Sequence, residues 1–132
     1  ARYDSAQYLE TARGRPADTF RLQMVPATTW SLAANWEHDV GAAGSLKWRA
    51  SYAHVADAYA DDFNFLPLKD YGLVDASVTF RNASENLSVS LYGKNLTDEV
   101  YFNFGFDNTA IGSRTMWLSP PRTWGIELTY DF

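Results

Sequence analysis

The sequence predicts an all-β fold, an antiparallel transmembrane β-barrel, of which these 132 residues supply about six strands. Three observations predict it. A closing stretch alternates strictly between two faces. Further alternating stretches precede it, with no charge on their apolar side. The connections between them run long, short, long, short, long.

The closing stretch is residues 123–132, TWGIELTYDF. Trp124, Ile126, Leu128, Tyr130 and Phe132 fall on one face, and Thr123, Gly125, Glu127, Thr129 and Asp131 on the other. Successive side chains of a strand point to opposite sides, so this is a strand with two different environments. A soluble sheet can alternate in the same way. Here, however, the apolar face carries aromatics at both ends and aliphatics between, the distribution of a lipid-facing strand that meets two membrane interfaces. Ten residues rise roughly 33 Å, enough to cross the hydrocarbon core when tilted near 45°.

Composition sets the outer limits. The chain is 46% apolar and 16% aromatic, with no cysteine and a net charge of −5. No run approaches the roughly 20 apolar residues of a transmembrane helix, but a barrel hides its apolar residues at alternate positions. Without a basic cluster, nucleic acid is not an expected partner. Without cysteine there is neither a disulfide framework nor a thiolate metal site. The opening Ala-Arg-Tyr, with no Met and no signal segment, reads as mid-strand, so the chain is expected to be a piece of a longer polypeptide.

In chain order, residues 1–8 are a short alternating piece and residues 9–25 a loop. Residues 26–38 read as a strand with Trp30, Leu32, Ala34 and Trp36 on one face, and 39–45 as a small-residue turn. Residues 46–55 follow, with Leu46, Trp48, Ala50 and Tyr52 opposite Lys47, Arg49 and Ser51. Residues 57–70 read as a loop. Residues 72–81 place Val74, Ala76, Val78 and Phe80 against Asp75, Ser77, Thr79 and Arg81. After a turn at 82–86, residues 87–94 alternate again. Residues 97–121 read as one long loop. Short turns and long loops on opposite ends are the mark of an outer-membrane barrel, with the short turns periplasmic. The closing strand descends from a long loop, which puts Phe132 on the periplasmic side.

Two segments then resemble a known family. YGKNLTDEVY (residues 92–101) and PPRTWGIELTYDF (residues 120–132) are similar to the end of a TonB-dependent outer-membrane receptor, and YGLVDASVTF (residues 71–80) resembles the strand before it. The likeness runs from Pro26 onward and is most specific in the last 60 or so residues. It implies that the whole stretch, 1–132, is the C-terminal segment of a 22-stranded barrel in the bacterial outer membrane, with a plug and earlier strands elsewhere in the receptor. It implies uptake of a scarce small molecule such as a ferric siderophore, haem, cobalamin or a saccharide, energised by TonB–ExbB–ExbD. It also implies that the aromatic end (Trp124, Leu128, Tyr130, Phe132) is the signal read by the barrel-assembly machinery. No plug or TonB box occurs in this sequence.

The candidate chemistry is sparse. Asn82, Asn86 and Asn95 open N-x-S/T triplets, but they read better as turn and strand-end residues than as glycosylation sites. His38 and His54 fall at opposite ends of one hairpin and cannot share a metal. Asp57, Asp61, Asp62 and Asp70 have the oxygen chemistry of a calcium site, yet a solvated loop, or one bridged to lipopolysaccharide phosphates, accounts for them better. Phe63, Phe65, Phe104, Phe106, Arg114 and Trp117 lie on the long loops. Aromatics there contact ligand or pack against one another, and these six are the candidate ligand-loop residues. Lys47, Arg49, Arg81 and Lys94 point inward, to line a wet lumen or to pair with plug carboxylates. No nucleophile–base pair or motif of hydrolytic chemistry is present, so no enzyme and no cofactor is expected. Two rival readings are a small self-contained outer-membrane barrel, porin-like or lipid-modifying, and a soluble β-sandwich binding module. The first asks for eight strands, and the second for polar outward faces.

Overall fold

The computed structural model describes residues 20–132. The short alternating piece at 1–8, and the loop as far as residue 19, lie outside them. The strands are β1 (Thr29–Asp39), β2 (Gly44–Val55), β3 (Ala58–Tyr59), β4 (Pro67–Leu68), β5 (Tyr71–Asn82), β6 (Leu87–Lys94), β7 (Phe102–Asn108), β8 (Ser113–Leu118) and β9 (Thr123–Tyr130). Two 3₁₀ turns, Gly41–Ala43 and Thr109–Ile111, interrupt them. β1, β2, β5, β6 and β9 form one five-stranded sheet in that order; β3 pairs with β4, and β7 with β8.

The chain divides into two compact units. The first comprises Ser31–Ala53, Gly72–Glu99 and Pro120–Phe132, and holds the body of the five-stranded sheet. Its register follows from the alternation. Val78 pairs with Leu91 and Leu91 with Ile126; Phe80 pairs with Val89 and Val89 with Leu128. On the opposite face Thr79 pairs with Ser90, and their hydroxyls are 2.7 Å apart. One face of the sheet is therefore apolar across three neighbouring strands, and the other carries hydroxyls and charges.

That apolar face has no covering layer among the described residues. Leu32 is 70% exposed, Trp124 73% and Leu128 68%, and the buried apolar core residues all belong to the other unit. A row of exposed Trp, Leu and Ile of this extent calls for a non-aqueous surrounding, since monomeric soluble proteins rarely leave contiguous apolar patches of such size. At the short-turn end, Gly44 takes a φ of 131° and passes close against the backbone of Arg81 and Asn82, where a side chain would not fit.

The second unit comprises, of its described residues, 20–30, His54–Tyr71 and Val100–Ser119. Here the structure departs from the sequence reading. Residues 57–70, read as loop, contain the β3–β4 pair, in which Ala58 opposes Leu68 and Tyr59 opposes Pro67. Two-residue strands are too short to show any period. Residues 97–121, also read as loop, contain the hairpin β7–β8. The alternation was present at Phe102, Phe104 and Phe106, but Gly105, Asp107 and Asn108 are turn-type residues and concealed it. Of the six expected strands, five are in the sheet, and the sixth would fall on residues 1–8, outside the described range.

Candidate functional site

The β7–β8 hairpin is two-faced, and its register explains why. Gly105 opposes Met116, and Phe104 opposes Trp117. Met116 packs against the buried cluster Ala58, Ala60, Leu66 and Leu68. Gly105 sits so close beside it that a Cβ would lie 3.5 Å from Leu66 Cδ1. The inward face thus anchors the hairpin on the β3–β4 pair. The outward face gathers Phe104, Phe106 and Trp117. Ring centroids are 4.7 Å apart for Phe104–Phe106, 5.5 Å for Phe104–Trp117 and 5.6 Å for Phe106–Trp117. The mixture of edge and tilted geometries is what aromatic quadrupoles favour. Phe106 remains 49% exposed and Trp117 46%, so the cluster is packed and still presents ring surface to solvent.

Arg114, grouped with those aromatics in the sequence, performs a different task. It reaches across the hairpin to Asp107 at 3.7 Å, and the N–H of Thr109 donates to the same carboxylate at 2.9 Å. Burial by itself pushes the Asp107 carboxyl up. The Thr109 N–H, the Thr109 hydroxyl and the Arg114 guanidinium outweigh it and hold the group below its ordinary value of 3.8. Asp107 and Arg114 therefore brace the hairpin tip.

Phe63 and Phe65 form a second cluster. Phe63 meets Phe20 edge-on at 6.3 Å and Phe65 at 6.3 Å. Asp61 shapes the turn beneath them by accepting the N–H groups of Phe63, Phe65 and Leu66 at 3.1, 3.1 and 2.7 Å. Arg21 straps the loop. It donates to the Asp57 carboxylate at 2.5 Å and to the Asp57 carbonyl at 2.6 Å, and its guanidinium stands 5.5 Å from the Tyr59 ring centre. Asp57 and Asp61, both considered as calcium ligands, are thus engaged by the loop itself. Among the described residues no group of three or more metal-ligating side chains converges. The two histidines rest on separate tryptophans, His54 on Trp30 at 5.7 Å and His38 on Trp36 at 5.6 Å.

The three asparagines all have structural partners. Asn82 donates to Asn86 at 2.7 Å and accepts the N–H of Leu87 at 3.0 Å, closing the β5–β6 turn. Asn95 is the more consequential: the sequence marks it as a turn or strand-end residue but does not reveal its partners. Its side-chain oxygen accepts the Glu99 N–H at 2.8 Å, and its amide nitrogen donates to the Glu99 carbonyl at 2.9 Å. Its own N–H donates to Asp75 Oδ1 at 2.9 Å. It is buried and left-handed, with φ of 51°, a conformation that asparagine tolerates better than most residues. Three positions on, Asp98 accepts the N–H of Arg122 at 3.1 Å and pairs with its guanidinium at 3.8 Å. The stretch K-N-L-T-D-E thereby links β5, β6 and the start of β9. The asparagine was the available signal, since Asn is a preferred residue for a left-handed turn. Also unforeseen is the stack of Tyr71 on Tyr101, with centroids 3.9 Å apart.

Residues 2–96 match the family described as TonB dependent receptor-like, beta-barrel. The match starts earlier than Pro26, where the sequence resemblance begins, and stops before the closing strand, where that resemblance is most specific. The ferric yersiniabactin uptake receptor FyuA from Yersinia pestis is similar in structure, with a TM-score of 0.76 and 27% identity over 83% of this chain and 17% of FyuA. BauA, the ferric preacinetobactin receptor from Acinetobacter baumannii, shares the fold, with a TM-score of 0.67 and 24% identity over 86% of this chain and 16% of BauA. The chain thus spans about one sixth of the length of either receptor. No curated protein sequence matches it. With an antiparallel sheet, one apolar and one polar face, and a family match over most of its length, the chain belongs to the TonB-dependent receptor family, as part of the β-barrel.

Proposed function

We propose that the chain is the C-terminal barrel segment of an outer-membrane transporter that takes up a scarce small molecule, with a ferric siderophore as the leading cargo class. The observation that carries this is the five-stranded sheet whose uncovered face is apolar and whose other face is polar, joined to the family match. Such a sheet suits lipid outside and a wet interior within. FyuA and BauA are both receptors for ferric complexes, which favours the iron class over haem, cobalamin or saccharides. In this reading the long loops are extracellular, Phe132 is periplasmic, and TonB–ExbB–ExbD drives release of the cargo inward. Lipopolysaccharide borders the loops, and the barrel-assembly machinery reads the terminal strand.

The outward face of the β7–β8 hairpin is the proposed contact for cargo. Flat rings that are packed together yet half-exposed can bury against the apolar surface of a chelate with little loss of side-chain freedom. The test is replacement of Phe104, Phe106 and Trp117 by Ala in the intact receptor. Uptake at limiting substrate should fall while the amount of folded barrel stays constant. Unchanged uptake would remove the hairpin from the binding surface.

A further inference from the structure

Tyr71 opens β5, and Tyr101 stands immediately before β7. Both belong to the unit that holds the β7–β8 hairpin, and both are half-buried. Their ring centroids lie 3.9 Å apart, with the rings 20° from parallel. That is closer than the roughly 4.5–7 Å usual for aromatic pairs. Tyr101 sits at the base of the hairpin, where its carbonyl accepts the N–H of Ser119 at 2.9 Å, just beyond β8. Elsewhere in the fold Tyr59 faces the Arg21 guanidinium, Tyr92 the backbone of Gly125, and Tyr130 the ring of Phe132. The stack thus brings two phenols together from separate stretches of the chain, where these three tyrosines meet groups of another kind.

We propose that Tyr71 and Tyr101 are a site of oxidative cross-linking, at which iron-activated peroxide joins the two rings as dityrosine and fixes the hairpin base to the first residue of β5. Each phenol gives up one electron and its hydroxyl proton, leaving a phenoxyl radical whose spin is shared with the ring carbons beside the oxygen. Two such carbons, one from each ring, couple to form a carbon–carbon bond. Each ring then passes the hydrogen of its coupled carbon to its oxygen and is again a phenol. The two electrons and two protons released reduce one peroxide to two waters. A tyrosyl radical otherwise has to meet a second one by diffusion. Here the partner ring is already in place, which turns an encounter into a step within one molecule. Half-burial leaves both rings within reach of a small oxidant. The bond forms whatever cargo the receptor carries, so it does not depend on the role of the aromatic face.

The experiment treats the intact receptor in detergent micelles with hydrogen peroxide and a soluble iron chelate, then digests it with trypsin. Cleavage after Lys69, Arg81, Lys94 and Arg114 releases peptides 70–81 and 95–114, each with a single tyrosine. Mass spectrometry should find these two joined, lighter by two hydrogens than their sum, as the main tyrosine cross-link. Tyr71→Phe and Tyr101→Phe keep a ring in the stack but remove a phenol, and each should abolish that product without lowering the yield of folded receptor. Hydroxylation of Tyr71 and Tyr101 without a link between them overturns the proposal. So does a link whose yield rises with receptor concentration, since it then joins two molecules, or one no more abundant than links between other tyrosines. Amide exchange over residues 102–118 should slow in the cross-linked receptor. Exchange equal to that of the untreated receptor would overturn the claim that the bond fixes the hairpin.

Discussion

The ring of Tyr92 lies over the bare backbone of Gly125, its cross-strand partner between β6 and β9. A Cβ at position 125 would stand 2.7 Å from the Tyr92 hydroxyl oxygen and 2.9 Å from Cζ. An aromatic covering a strand glycine supplies the side-chain surface that the glycine lacks. Gly125→Val should therefore displace the ring and destabilise the assembled receptor by about 1–2 kcal/mol. Combined with Tyr92→Ala, its cost should shrink, with a coupling of about 1 kcal/mol. Unfolding curves of the three variants in detergent decide this; strictly additive losses would mean that the two residues do not bear on each other.

Asn95 supplies two side-chain bonds to Glu99 while its backbone donates to Asp75. Asn95→Ala removes both bonds to Glu99 and should cost about 1–3 kcal/mol. Alanine also tolerates the left-handed backbone poorly, at about 1 kcal/mol, a penalty that glycine avoids. Asn95→Gly should therefore be the milder of the two substitutions. Equal losses from both, measured by urea unfolding, would assign the effect wholly to the missing amide.

Asp107 makes the hairpin tip sensitive to acid. Its folded pKa lies below the ordinary 3.8, so the stabilisation is complete above that value and disappears as pH falls below it through the folded pKa. A fluorine label on Trp117, followed by NMR from neutral pH downward, should show its environment change only in that acidic window. Asp107→Asn should abolish the transition. A change already complete at pH 5 would point to some other group.

The face assignment can be tested with two adjacent residues. Leu128 pairs with Val89 on the apolar face, and Glu127 pairs with Ser90 on the polar face. Leu128→Lys should cost roughly 2–4 kcal/mol if that face meets lipid near mid-membrane, while Glu127→Lys should cost little. Fluorescent labels at the two positions should differ in the same way, with a lipid-phase quencher acting at 128 and not at 127. Equal quenching would contradict the assignment.

Phe132 tests the terminal signal. Tyr130 packs edge-on against Phe132, with centroids 5.0 Å apart. Deleting Phe132 in the full-length receptor should lower the amount inserted, with no change in the cargo affinity of what does insert. Normal surface levels together with weakened binding would reverse that assignment.

Residues 123–132 carried their strand, their two faces and their membrane character in the order of side chains alone. A period of two is written residue by residue, and β2, β5 and β6 were legible for the same reason. The short turns at residues 40–43 and 83–86 were equally open to reading, since Gly, Asn and Ser mark them locally. Tertiary structure alone decided what joins residues distant in the chain. The hairpin β7–β8 was hidden because turn-type residues mask its alternation and because Met116 finds its partners, Leu66 and its neighbours, some 50 residues away. Arg114 read as a ligand-loop residue, and only the hairpin register placed it opposite Asp107. Asn95 looked like a turn residue until β5 brought Asp75 to its N–H. Alternation tells a side chain which face to take. It says nothing about which remote residue waits on that face, because that depends on strand order and register, and these emerge only when the whole sheet minimises its unpaired backbone groups and exposed apolar surface together.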